Sequence, residues 1–450
     1  MSRRDRRALL TSGPHPPAVV VGLDNITGLQ TARILDARGV AVVGIASDAR
    51  HFGSRTNACA AVVESPLAGD PLVAALRRLA RRLGRVAVLV PCTDEAVLTL
   101  SERRDELGAS YLLPLSGHDV VEMLLDKARF AEHARAAGLA IPDTVVLRSR
   151  DDAVSAAGSM SFPAVLKPAT KTATWRGHTS AKAVPVADGD ELLAVYDRVQ
   201  EWSDELLAQA WVDGGEDHLY SCNAYFDAAG EPLVTFVARK LRQWPPEVGT
   251  SASGEECRND EVLEQTLRTF GGVGFHGLAY LELKQDARTG RTLIIEPNVG
   301  RPTGRSAIAE RAGVELVYTA YCDAAGLPVP QTPQRYVGAK WVDVRRDLQA
   351  AYVGHRKGSL TVRDWAASLR GPRAHAIWSA SDPLPFAVDL AHVTATGQRL
   401  LRARVREAVS GTGSRAGGDA PRNGAALRRT SPGAEPRLSP SGRRARDGED

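Results

Sequence analysis

Apolar residues in the N-terminal part of the chain fall into short unbroken runs, Ala18 to Val21, Val40 to Ile45 and Val86 to Val90. Between them lie segments of helical length. One follows GLDNITG and stops at Gly39, one runs near Pro71 to Leu83, and one follows Thr93-Asp94. Buried strands alternating with helices predict βαβ units and a doubly wound parallel sheet of modest size. The pattern then changes. The stretch DKARFAEHARAAGLAIPDTVVL reads as a helix capped by Asp126, stopped by Gly138 and released into a strand after Pro142. Further strands are predicted at Ala164 to Lys167, Leu206 to Val212, Tyr220 to Phe226 and Pro232 to Val237. Two more, Leu278 to Lys284 and Thr292 to Glu296, flank a polar Asp-Ala-Arg-Thr-Gly segment.

The expected organisation is a flexible N-terminus over 1–16, an α/β domain over 17–115, and a two-lobed α+β domain over 116–330 whose lobes meet near 204. A small C-terminal α+β subdomain over 331–405 follows. A tail over 406–450, rich in Gly, Pro, Ser, Arg and Ala, is expected to be disordered.

Composition narrows the function. The 450 residues carry a net charge of +4, which makes no case for a nucleic-acid surface. Cys59, Cys92, Cys222, Cys257 and Cys322 have neither zinc-finger nor redox spacing and point to reduced thiols in a cytoplasmic protein. The opening SRRDRRALL resembles a twin-arginine signal but lacks the apolar core after it, and no apolar run approaches transmembrane length.

The densest chemistry lies in GFHGLAYLELKQDARTGRTLIIEPNVGRPTG. A three-residue hairpin loop over Arg288, Thr289 and Gly290 would put Gly290 in the left-handed position such loops need and set Glu282 opposite Glu296. The two-residue period then places Asn298 on the same face as Glu296. Facing carboxylates repel unless something neutralises them, and a hard divalent cation held by two carboxylates and an amide oxygen would do so. The bland alternative is a solvent-facing hairpin with ordinary surface charges.

Other candidates are read singly. Lys127 sits in a helix's first turn, by default as a solvated lysine. Lys167 ends a strand, where a side chain can project into a cleft. The polar segment KPATKTATWRGHTSAKAV, carrying Lys171, Arg176 and His178 with Gly177 as a hinge, suits a loop closing over phosphates or a disordered surface loop. Alternation puts Lys240 and Arg242 on one face, to balance polyphosphate charge or to guard a strand edge. Arg301 and Arg305 flank Pro-Thr-Gly. At the first βαβ turn, Gly22 and Gly28 miss the G-x-G-x-x-G spacing, which disfavours a dinucleotide site.

With these pieces in order the chain resembles the ATP-grasp superfamily, in particular its carboxylate–amine ligases related to D-aspartate ligase. FPAVLKP, RKLRQWPPEVGTS, and GLAYLELK with LIIEPN carry the resemblance. It implies a pre-ATP-grasp α/β domain followed by two lobes that clamp ATP with Mg²⁺ or Mn²⁺. Lys127, Lys167 and Lys171 would contact the nucleotide, backbone at Gln209, Ala210, Trp211 and Val212 the adenine, and Glu216 the ribose. Glu282, Glu296 and Asn298 would hold the metal, and Lys240, Arg242 and Arg301 would meet phosphate and substrate. Two departures stand out. The family's glycine- and serine-rich phosphate loop is replaced by Thr-Lys-Thr-Ala-Thr-Trp-Arg-Gly, and its Asn-Pro-Arg by Asn298-Val-Gly-Arg301.

The implied reaction joins a small-molecule carboxylate to an amine, amino-acid or peptide-like, through an acylphosphate, with release of ADP and phosphate. A homodimer is the usual state in the superfamily, and neither nucleic acid nor membrane is an expected partner. The rivals are an ATP-dependent carboxylase or kinase, a nucleotide-binding regulatory protein without turnover, and a nicotinamide-dependent oxidoreductase.

Overall fold

Near-continuous apolar runs make strands buried on both faces, the arrangement a parallel sheet needs. In the computed structural model, which describes residues 3–393 apart from Lys171, Ser180, Glu247 and Val248, five such strands form the first sheet. They are β1 (Ala18–Val21), β2 (Val42–Ala46), β3 (Ala61–Glu64), β4 (Ala87–Pro91) and β5 (Tyr111–Leu112), all parallel, in the order β3-β2-β1-β4-β5. One apolar cluster covers each face of this sheet. Helices α1 (Arg3–Ser12), α2 (Ile26–Ala37), α3 (Gly69–Leu83), α4 (Asp94–Glu102) and α5 (Arg104–Leu107) belong to this domain. The expected frayed N-terminus is therefore corrected: α1 buries Leu10, and Arg6 makes a two-pronged ion pair with Asp36 at 2.6 and 2.8 Å. Gly28 also has a structural reason. A Cβ there would meet the Gly22 carbonyl oxygen at 2.1 Å, so the glycine lets α2 pack on the β1 turn.

Helices α6 (His118–Leu125) and α7 (Lys127–Ala136) lead into an antiparallel four-stranded sheet. Its strands are β6 (Thr144–Leu147), β7 (Ala164–Pro168), β8 (Val184–Val186) and β9 (Leu206–Ala210), in the order β6-β9-β7-β8. Helices α8 (Arg150–Ser159), α9 (Ala173–His178) and α10 (Gly189–Val199) accompany it, with Trp175 of α9 in its core.

The third sheet has seven strands: β10 (Leu219–Phe226), β11 (Pro232–Trp244), β12 (Thr250–Glu256), β13 (Gly277–Gln285), β14 (Thr292–Val299), β15 (Lys340–Val342) and β16 (Arg373–His375). Their order is β14-β13-β10-β11-β12-β15-β16, flanked by α11 (Asp260–Gly271), α12 (Ala307–Arg311), α13 (Leu316–Ala324), α14 (Val344–Arg356) and α15 (Val362–Ser368). The expected separate subdomain from 331 is corrected here as well. β15 pairs with β12 and β16 with β15, so the segment continues the main sheet. It is also strapped to the first domain: Gln30 donates to the carbonyls of His375 and Ala376, and Arg33 pairs with Asp382 at 2.9 Å. The end of the expected subdomain and the whole expected tail, residues 394–450, lie outside the described residues. No helix among the described residues is long and apolar enough to cross a membrane, and the five cysteines form no disulfide.

Candidate active site

Glu282 on β13 pairs directly with Glu296 on β14. The register that achieves this differs from the one expected. Gln285 pairs with Thr292, one residue out of step with a loop over Arg288 to Gly290, and an irregularity between Glu282 and Leu283 leaves Ile295 unpaired and restores the step. Gly290 does adopt the left-handed conformation, with φ of 71°. Extra residues of this kind re-aim side chains beside functional sites.

The surroundings of the two carboxylates test whether they fit a cation. Glu282 lies 3.3 Å from Lys240 Nζ. Burial works against its charge, yet Lys240, Arg305 and Lys182 together hold the carboxyl below its ordinary range. Glu296 makes no ion pair or hydrogen bond among the described residues, so its oxygens remain available. The Asn298 carboxamide oxygen accepts from Arg301 Nη2 at 2.9 Å, which uses one of its two lone pairs. Asn298 Nδ2 is buried without a partner. Two carboxylates and an amide oxygen fit a hard divalent ion that takes its remaining ligands from phosphate and water. Among the described residues no group of three or more His, Cys, Asp or Glu could hold a metal.

β11 departs from simple alternation. Lys240 pairs with Gly254, Arg242 with Ser253 and Gln243 with Ser251, so irregularities fall on both sides of Arg242. Lys240 and Gln243, three residues apart, end on the cleft side, and Lys240 Nζ donates to Gln243 Oε1 at 3.3 Å. Arg242 does not join them. It is buried against Asp347 of α14 at 2.7 Å and donates to Ser368 at 2.9 Å, so its expected place beside polyphosphate is corrected.

The other end of the cleft is built on the four-stranded sheet. Lys167, 9% exposed, donates from Nζ to Gln209 Oε1 at 2.8 Å, and Gln209 donates to Thr144 Oγ1 at 3.0 Å. Burial, with the Lys127 charge adding to it and Glu296 opposing, pushes the Lys167 ammonium down to about 8. Lys127, Lys167, Gln209 and Glu296 line one pocket. At the end of β9 the N–H groups of Ala210 and Trp211 are bonded to the Asp143 and Pro163 carbonyls. The Val212 N–H has no acceptor among the described residues. Lys284 Nζ lies 4.9 Å from the centre of the Trp211 ring. Glu216 starts a short 3₁₀ turn and accepts from the Gln243 N–H at 2.8 Å. It is not among the residues that line the cleft in this arrangement.

Within the segment expected as a loop, residues 173–178 form the helix α9, capped by Thr172, with Trp175 only 1% exposed and its Nε1 donating to the Ala181 carbonyl at 3.0 Å. His178 stacks on Trp202 at 4.6 Å. Lys171 lies outside the described residues.

Arg301 is held on three sides. Its Nε donates to Asp94, Nη1 to Tyr280 at 2.9 Å and Nη2 to Asn298. Arg305, 5% exposed, donates to Ser221 at 2.9 Å and to Ser251. Arg305, Gln243, Lys182 and Tyr280 line the cleft without having been singled out as site residues. Alternation broken by bulges hides Gln243, whereas Arg305, so close after Arg301, was the one with a visible signal.

No protein-family model matches the chain. It is 23% identical over 231 residues to D-aspartate ligase of Enterococcus faecium (strain Aus0004), covering 49% of this chain and 54% of that protein. It is 24% identical over 222 residues to D-alanine–D-alanine ligase of Pseudomonas entomophila (strain L48), covering 46% and 66%. The chain thus spans about half to two thirds of the length of these relatives. Among solved structures, the biotin carboxylase domain of 2-oxoglutarate carboxylase from Hydrogenobacter thermophilus, in complex with MgADP, ADP and bicarbonate, aligns with a TM-score of 0.58 at 15% identity, covering 72% of each chain. N5-carboxyaminoimidazole synthetase from Staphylococcus aureus aligns with a TM-score of 0.55 at 13% identity, covering 72% of this chain and 80% of that one. The chain has the ATP-grasp fold, and its sequence relatives are the carboxylate–amine ligases of that superfamily.

Proposed function

We propose that this protein is an ATP-dependent carboxylate–amine ligase. The observation that carries the reading is the pairing of Glu282 with Glu296 in the lining of one cleft of about 1150 Å³, which Lys127, Lys167, Lys240 and Arg301 also line. So many cations converging on a carboxylate pair suit a metal-bound polyphosphate. Glu282, Glu296 and the Asn298 oxygen would hold Mg²⁺, which when bound offsets charge on the phosphates. Lys167, kept in place by Gln209, and Lys127 bind the nucleotide phosphates. The free Val212 N–H is a donor for the base. Lys240 and Arg301 stabilise charge on the phosphoryl group as the substrate carboxylate oxygen attacks the γ-phosphorus and ADP leaves. The amine nitrogen then attacks the acylphosphate carbonyl, inorganic phosphate departs, and the amine's proton is lost to solvent. No residue need form a covalent bond to substrate; positioning and charge do the chemistry.

The test is ADP release by the full chain with Mg·ATP across a panel of amino acids, small peptides and carboxylates. The reading expects turnover that needs both a carboxylate and an amine. Release supported by bicarbonate or an alcohol in place of the amine would assign a carboxylase or kinase instead.

A further inference from the structure

A guanidinium has five N–H donors. Arg301 spends three of them: Nε on Asp94, one on Nη1 to Tyr280 and one on Nη2 to Asn298. One hydrogen on each terminal nitrogen is unspent among the described residues. Tyr280 also keeps a donor in hand. Its hydroxyl oxygen accepts from Arg301 Nη1 at 2.9 Å, and its hydrogen has no acceptor among the described residues. Tyr280 is 8% exposed, and both residues line the cleft. Tyr280 pairs with Asn298 and lies two residues before Glu282 on the same face, because the irregularity of this hairpin begins only after Glu282. Ala279 and Leu281, the neighbours of Tyr280, turn into an apolar cluster instead.

We propose that Tyr280 is a catalytic residue of this site: its hydroxyl, together with the unspent hydrogens of Arg301, holds the oxygen of the reacting carboxyl group that does not attack phosphorus. The inference rests on the ligase reading and deepens it by giving that oxygen its partners. When the amine nitrogen adds to the acylphosphate carbonyl, the C–N bond forms and the carbonyl electron pair moves onto this oxygen. The pair then returns, the bond from carbon to the phosphate oxygen breaks, and phosphate leaves. Tyr280 keeps its proton throughout, since a phenol is neutral at ordinary pH and here serves as a hydrogen-bond donor. The arrangement is fixed before substrate arrives. Asp94, from α4 of the first domain, and Asn298 orient the guanidinium, and the guanidinium orients the hydroxyl. Donors already aimed at an oxygen that gains charge need no rearrangement during the reaction, which is what makes them effective.

Y280F, which removes the hydroxyl alone, tests this in the full chain. The probes are Mg·ATP, hydroxylamine as the amine, and acetate, succinate or each common amino acid as the carboxylate, with hydroxamate and ADP both measured. The kcat for hydroxamate should fall about a hundredfold, the cost of losing one donor to a developing oxyanion, while Mg·ATP affinity by calorimetry stays within about twofold. A crystal structure of Y280F should show Arg301 still bonded to Asp94 and Asn298. Unchanged kcat, or Mg·ATP affinity that falls as far as the rate, would overturn the role. So would a displaced Arg301 in Y280F, which would reduce the tyrosine to a support for the arginine. Wild type that binds Mg·ATP yet forms no hydroxamate from any of these carboxylates would sink the ligase reading itself, and this role with it.

Discussion

Lys240 and Glu282 stand 3.3 Å apart on β11 and β13, with the whole of β10 between their strands. The pair reaches across the sheet at the point where the proposed metal would sit. It also makes the two site carboxylates unequal, because Glu282 has a cationic partner and Glu296 has none among the described residues.

That inequality separates activity from stability. E282Q should lose ADP release and also about 3 kcal/mol of stability, because it strands a buried lysine. E296Q should lose ADP release while stability changes by only about 0.5 kcal/mol. Urea denaturation beside the coupled assay distinguishes them, and equal stability losses would contradict the arrangement.

The proposed nucleotide site should respond to alkaline pH. The Lys167 ammonium is held at about 8 against an ordinary 10.5, so between these values the unfolded chain binds more protons than the folded one. The ligand-free protein should therefore gain stability from this group as pH rises across that window. Mg·ATP affinity should move the opposite way, falling as pH passes about 8 and the phosphates lose a cation. K167R keeps its charge and should flatten the fall; calorimetry at several pH values checks it.

Arg242 should matter for folding and not for turnover. R242M leaves Asp347, whose side chain is 1% exposed, without its cation and should cost about 3–5 kcal/mol. The double variant R242M/D347L should recover much of that loss and retain kcat/KM. A double variant that is stable but inactive would return Arg242 to the site.

Trp175 should govern the order of α9. W175A removes a fully buried ring from the core of the four-stranded sheet and should cost about 3–5 kcal/mol. H178A, which loses an exposed stacking contact on Trp202, should cost far less. Hydrogen exchange over residues 173–178 would register the first change and not the second.

Much of this was legible in the amino-acid pattern. The first sheet announces itself because strands covered on both faces are apolar without interruption, and Glu282 opposite Glu296 follows from hairpin geometry. That pairing was reached through two one-residue errors that cancel: a loop placed out of step, and a bulge at Ile295 that periodicity does not reveal. On β11 the same blindness has the opposite result, since bulges around Arg242 turn it away from Lys240. The helix α1 escaped notice because a basic, proline-flanked end reads as frayed unless the distant partner of Arg6 is known. Trp341, which lines the cleft, was equally hidden, for it arrives there only when β15 joins a strand far earlier in the chain.

The pairing of β15 with β12 has a consequence for how the protein can be shortened. A chain cut after Pro330 would keep Lys127, Lys167, Glu282, Glu296 and Arg301, yet would leave β12 as a naked margin of unpaired amides and carbonyls. Such a border recruits strands from other molecules. A truncation chosen to isolate the nucleotide-binding lobes would then yield assemblies or precipitate, whatever the integrity of its active centre.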